Sequence, residues 1–133
     1  MTNVMIVEDD ADIRNLLGEQ LQDKRCNVWR TSNGANALRR LGEQIPDIIF
    51  VDIMMPVMDG IDLIAEIRKS RRTRDIPVVL VTAVSAPDVT LRAIELGVKY
   101  RLTKPWEQTE LDSVFEQALG LKSGEPDVPA SRA

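Results

Sequence analysis

Short unbroken apolar runs alternate along this chain with longer amphipathic stretches. Val4-Met5-Ile6-Val7 stops at acids, Ile48-Ile49-Phe50-Val51 stops at Asp52, and Val78-Val79-Leu80-Val81 stops at Thr82. Runs of this kind suit strands covered on both faces, as in a parallel sheet, because no position can be left for water. Cys26-Asn27-Val28-Trp29-Arg30 alternates instead and reads as an edge strand. Val98 to Thr103 reads as a weaker fifth strand.

Helical periodicity fills the intervals. Ile13, Leu16, Leu17 and Leu21 share a face, as do Leu38, Leu41 and Ile45, then Ile61, Ile64 and Ile67, then Val89, Ala93 and Leu96. Leu111, Val114, Phe115, Ala118 and Leu119 make the cleanest stripe. Asn33-Gly34, Asp59-Gly60, Gly97 and the prolines at 46, 56, 77 and 105 punctuate the same boundaries. The order is five βα units, and right-handed crossovers turn these into a doubly wound α/β sheet with helices on both faces. Residues 123–133 carry no apolar stripe but two prolines and a glycine, so a disordered tail is expected after a domain at 1–122.

Composition narrows the chemistry. A chain of 133 residues fits one domain. The net charge of −4 opposes a duplex-binding surface, so direct contact with nucleic acid is not expected. The basic cluster Arg68, Lys69, Arg71, Arg72 and Arg74 reads as a solvated helix end that complements the dipole. Cys26 is the only cysteine, which excludes an internal disulfide and suits a reducing compartment. The absence of histidine excludes Ser/His/Asp and Cys/His catalysis and His-ligated metals. There is neither a basic-then-apolar leader nor an apolar run near the ~20 residues a membrane helix needs. The expectation is a soluble cytoplasmic protein.

In a doubly wound sheet, ligands bind beyond the carboxyl ends of the strands. Here those ends carry Glu8-Asp9-Asp10, Asp52, Thr82 and Lys104-Pro105. Asp10 reads as a helix N-cap. Glu8, Asp9 and Asp52 would repel one another if bare, and a divalent cation relieves that. Their hard oxygens suit Mg²⁺. A carboxylate is also a nucleophile toward phosphorus, and Lys104 and the Thr82 hydroxyl can meet the charge that phosphoryl transfer brings.

These residues resemble the response-regulator receiver family of two-component signalling. The match runs through Val7-Glu8-Asp9-Asp10, Asp52-Ile53-Met54-Met55-Pro56-Val57-Met58-Asp59-Gly60, Val81-Thr82-Ala83 and Lys104-Pro105-Trp106, across roughly residues 2–121. The resemblance implies a flavodoxin-like sheet of strand order 2-1-3-4-5, of the kind seen in single-domain chemotaxis regulators. It implies Asp52 as phosphoacceptor, Mg²⁺ held by Asp9, by Glu8 through water, by Asp52 and by the Met54 carbonyl, and Lys104 pairing with the phosphoryl oxygens. Thr82 would swing toward the phosphate, and the Lys104-Pro105 bond would be cis. The donor would be a phosphohistidine on a sensor histidine kinase or phosphotransfer protein. The target would be a protein on the face of the fourth helix, fifth strand and fifth helix, with a phosphorylation-dependent homodimer as a further possibility. Such a protein is a switch, not an enzyme.

The residues themselves add detail. Ala83 is small enough to admit a bulky donor. Pro56 and Gly60 shape the loop after Asp52, Gly60 by tolerating positive φ. The family usually places an aromatic residue three positions before the lysine, where this chain has Arg101. Tyr100, one place earlier, should face the opposite side. Either Arg101 takes the switch role or a strand irregularity brings Tyr100 inward; the alternation favours Arg101. Met54 and Val84 are apolar and neither orients a water, so slow self-dephosphorylation is expected. Trp106 is a candidate partner anchor or a packing residue. An Asp-nucleophile phosphatase would need an acid where Met54 stands, and a flavin carrier would find its phosphate repelled by Glu8-Asp9-Asp10. A docking module that never receives phosphate is the remaining alternative.

Overall fold

The structure, a computed structural model, describes residues 1–55, 58–83 and 87–120, with Pro87 by its backbone alone. Pro56, Val84 and the 123–133 tail lie outside the described residues. Five strands alternate with five helices: β1 (Asn3–Val7), α1 (Ala11–Gln22), β2 (Asn27–Thr31), α2 (Gly34–Glu43), β3 (Ile48–Asp52), α3 (Gly60–Lys69), β4 (Val78–Ala83), α4 (Pro87–Glu95), β5 (Tyr100–Lys104) and α5 (Gln108–Ala118). All pairings are parallel and the strand order is β2-β1-β3-β4-β5, as expected.

The unbroken apolar runs find the double burial they predicted. Val4, Ile6, Ile48, Phe50, Val79 and Val81 face one layer, with Leu17 and Leu21 of α1 and Leu111, Val114, Phe115 and Ala118 of α5. Met5, Val7, Ile49, Val51, Val78 and Leu80 face the other, with Ala37 and Leu41 of α2, the isoleucines of α3 and Ala93 of α4. At ~25 cal/mol per Å² of apolar surface removed from water, each buried leucine or isoleucine in these layers stabilises the fold by roughly 1.5–3 kcal/mol. The alternating β2 and the half-polar β5 are the two edges.

Local departures have local causes. Leu16 is 49% exposed: in α1 the buried stripe runs through Leu17 and Leu21, and Leu16 lies on its flank. Ile45 follows the end of α2 and is exposed. The fifth strand begins at Tyr100, not Val98, because the α4 terminus claims the residues before it. Gly97 adopts φ +84°, its N–H bonds the Ile94 carbonyl and the Val98 N–H bonds the Ala93 carbonyl, the paired closure of a glycine-capped helix. The basic cluster is not simply solvated. Arg68 donates to the carbonyls of Leu96 (2.8 Å), Arg74 (2.8 Å) and Ile76 (2.9 Å), tying α3 to the α4 terminus and the approach to β4. Arg72 donates to the Leu41 carbonyl at 3.2 Å. Among the described residues, no helix is long and apolar enough to cross a membrane.

Candidate functional site

The parallel wiring delivers every strand's carboxyl end to one rim. At the end of β1 the Glu8 N–H donates to the Thr31 carbonyl of β2, which extends the ladder one residue past the strand. Asp10 then starts α1, accepting from the N–H groups of Asp12 and Ile13 with its side chain, as expected of an N-cap. Between ladder and cap, Glu8 is turned inward and is 2% exposed, whereas Asp9 is exposed. Asp52, the last residue of β3, is 4% exposed, and its Oδ1 accepts from the Met54 N–H at 3.3 Å.

Lys104, the last residue of β5, reaches across this rim. Its Nζ lies 3.0 Å from Glu8 Oε1 and 3.4 Å from Asp52 Oδ1. The Lys104-Pro105 peptide that follows is cis, as expected. Thr82 on β4 is buried, and its hydroxyl donates to the Ala83 carbonyl at 3.1 Å. Ala83, exposed beside it, leaves the approach to the rim open.

Gly60 corrects an expectation. It opens α3 with an ordinary backbone rather than a positive φ. What position 60 cannot hold is a Cβ, which would stand 2.4 Å from the Asp52 carbonyl oxygen. The Gly60 N–H donates to the Ile53 carbonyl at 2.8 Å, so the loop folds tightly back onto the end of β3 and holds Asp52 in place.

The rim is short of positive charge. Burial, then the hydrogen bond and the negative charge of Glu8, push the Asp52 carboxyl up to about 7, while Lys104 and the Met54 N–H pull it the other way. Burial works against the charge on Lys104, but hydrogen bonds and attraction from Glu8 and Asp52 outweigh it and raise its pKa. One carboxylate oxygen from each of Glu8, Asp9 and Asp52 lies within 4.8 Å of the others. Three acids face one ammonium, and the donors are all hard oxygen atoms. That set fits a Mg²⁺ ion, which favours one or two carboxylates together with water and phosphate oxygens.

Arg101 and Tyr100 part as the alternation predicted. Arg101 pairs in register with Leu80 and is exposed on the side of the sheet that Thr82 shares. Tyr100 pairs with Val79 and packs into the opposite layer, beside α5. Trp106 is a packing residue: it is half-buried against that layer and donates its indole N–H to Gln20 of α1 at 2.9 Å. Arg14 was not singled out from the sequence. Its guanidinium donates to the Glu8 carbonyl at 2.9 Å and more weakly to that of Asp9 at 3.4 Å, bracing the loop that carries both acids. A basic residue one helical turn after the Asp10 cap was the available signal.

Comparison with known proteins agrees with this geometry. The family model described as the response regulator receiver domain matches residues 4–116. The chain is 34% identical over 116 residues to a probable transcriptional regulator, ycf27, of Guillardia theta; the match covers 87% of this chain but 44% of that protein, which is therefore much longer. The chemotaxis protein CheY4 of Vibrio cholerae superposes with a TM-score of 0.85 at 26% identity, covering 90% of this chain and 99% of that one. The signal receiver domain of a histidine kinase from Syntrophus aciditrophicus superposes with a TM-score of 0.83 at 32% identity, covering 98% and 99%.

Proposed function

Since this chain belongs to the response regulator receiver domain family, we propose that it is a phosphoacceptor switch in a two-component relay, with Asp52 as the residue that takes the phosphoryl group. The observation that carries this reading is the pairing of a buried Asp52 with Glu8 and Lys104 at one strand rim. The family match spans most of the chain, and the functional domain is taken as residues 1–122.

In the transfer, an Asp52 carboxylate oxygen attacks phosphorus in a phosphohistidine of a sensor histidine kinase or phosphotransfer protein. A P–O bond forms, the P–N bond breaks, and its electron pair leaves with the donor's imidazole. Lys104 turns from Glu8 and Asp52 to the incoming phosphoryl oxygens. Thr82 exchanges its bond to the Ala83 carbonyl for one to the phosphoryl group. Asp9, Asp52 and the Met54 carbonyl, with Glu8 through water, would hold a Mg²⁺ ion, which would supply positive charge against the transferring group. Movement of Thr82 alters the face it shares with Arg101, which takes the place of the family's usual aromatic residue. Output passes by protein contact along α4, β5 and α5, where Leu91 and Ile94 are each 58% exposed, to a downstream protein or a second copy of this chain. The exchange belongs in the cytoplasm, where such donors work and Cys26 stays reduced. Met54 offers an apolar, 74% exposed side chain beside the phosphoacceptor, with nothing to orient a water, so the acyl phosphate is expected to persist for minutes or longer.

Intact mass after incubation with acetyl phosphate and Mg²⁺ tests the reading. One added phosphoryl mass in wild type, absent from Asp52→Ala and absent when the metal is chelated, is the expected result. No adduct from acetyl phosphate or from any of a panel of phosphorylated kinases would overturn it in favour of a phosphorylation-independent docking module.

A further inference from the structure

On the far side of α1 from the Trp106 contact, four arginines line one groove. Arg14 of α1, Arg30 of β2, and Arg39 and Arg40 of α2 border a concavity of about 500 Å³, together with Ser32 and Asn36. Its one acid is Glu43. The chain as a whole is acidic, with net charge −4, so this is a local reversal of sign.

The cations are held in place by neutral groups. Arg14 donates to main-chain carbonyls, Arg30 to the Gln22 amide oxygen at 3.3 Å, and Arg39 to the Asn36 side chain. Arg40 lies over the Trp29 ring, 4.7 Å from its centroid. Gly18 on α1 makes room for Arg30, since a side chain there would collide with its guanidinium. None of the four is paired with a carboxylate among the described residues, although Lys24, Lys69 and Lys104 all are. The first turn of α2 also carries no acid. Positive charge is therefore positioned here and left without an anion.

We propose that this groove binds a small ligand bearing two linked or neighbouring phosphate groups. Planar guanidinium forks match phosphate oxygens two at a time, and several forks around one concavity favour a doubly phosphorylated group over a single phosphate. The volume falls in the small-ligand range. A long polyanion would be repelled by the acidic remainder of the surface, including Asp9, Asp10 and Asp12 nearby in the chain, whereas a compact one meets the groove alone. Arg14 links the groove to the carbonyls of Glu8 and Asp9, so an occupant has a direct path to the loop carrying the acids.

The test is titration of the full chain with inorganic pyrophosphate in metal-free buffer, followed calorimetrically and by amide NMR shifts. The expected result is saturable one-site binding, at least about tenfold tighter than orthophosphate, with shifts concentrated at residues 30–43. Arg30→Ala/Arg39→Ala, which alters two exposed side chains, is expected to weaken it at least tenfold, with an unchanged thermal midpoint. Retention of binding in Asp52→Asn separates the groove from the phosphoacceptor rim. ADP and vesicles containing phosphatidylinositol bisphosphate then identify the source of the diphosphate chemistry, and tighter binding of either supports the assignment. Shifts centred on Lys104, absence of saturation, equal affinity for orthophosphate, or tighter binding of a poly-glutamate peptide would each overturn it.

Discussion

The two ends of the sheet treat charge in opposite ways. At the amino end, the Arg68 guanidinium satisfies three carbonyls from two segments, the α4 terminus and the approach to β4. At the carboxyl end, Glu8 and Asp52 are both buried, both lean on Lys104, and the Asp52 carboxyl is pushed up to about 7. One end uses charge to close the fold. The other holds two buried acids against one ammonium, an arrangement that a proton or a further cation relieves. Buried ionisable groups stabilise where their partners are complete, and become reactive where a partner is missing.

The sharpest way to break the contrast is Arg68→Ala. It leaves three carbonyls without their donor, and a loss of about 3 kcal/mol is expected at roughly 1 kcal/mol per bond. Urea unfolding would read it; a loss below about 1 kcal/mol would mean that the three bonds are not a structural tie. Asp52→Asn should act in the opposite direction. Because folding raises the Asp52 pKa from 3.8 to about 7, its contribution to stability is complete below the unfolded value and is lost as pH rises through 7. Removing the charge is therefore expected to stabilise the metal-free protein by ~2 kcal/mol at pH 8, or about 4–8 °C in Tm, with no gain near pH 4. A variant equally stabilised at both pH values would contradict that account.

Mg²⁺ titrations at several pH values sharpen the picture further. The ion must displace the Asp52 proton below its pKa, so affinity should rise by up to tenfold per pH unit, about 1.4 kcal/mol, until about pH 7 and then level off. A flat profile from pH 5 to 8 would place the proton elsewhere. The smallest effect belongs to Lys69→Ala. Lys69 pairs with Glu66 at 3.0 Å on an open helix surface, and less than about 0.5 kcal/mol is expected from thermal melts. A larger loss would show that the basic cluster works as a unit.

The sequence was most informative where burial is two-sided. Runs such as Ile48 to Val51 admit one placement, so the strands, their order in the chain and the residues at their ends could be read directly. It was less informative where the backbone decides. Val98 looked like strand, yet the Gly97 turn wraps it onto α4. Gly60 signalled a special position but not its cause, which is the nearness of the Asp52 carbonyl, a contact that chain spacing does not encode. Arg68 and Arg72 had the composition of a solvated helix end, because a side chain's choice between water and a carbonyl on another element depends on tertiary placement. Arg14 was missed for the same reason. The alternation rule alone separated Arg101 from Tyr100 correctly, since a regular strand leaves no freedom in which face a residue takes.

The strand order has a consequence for synthesis. β1 and β3 lie side by side in the sheet and leave the ribosome early, whereas β5 is the last made of these five strands and docks at an edge. A nascent chain ending before residue 104 can bring Glu8 and Asp52 together but has no ammonium to set between them. Such a chain carries its rim acids without their counter-charge, while the ladders among β2, β1, β3 and β4 can already form. Long-range parallel pairing already slows folding. Here the fifth strand in chain order is also the one that brings Lys104, so the ammonium between Glu8 and Asp52 comes with the strand that completes the five-stranded sheet.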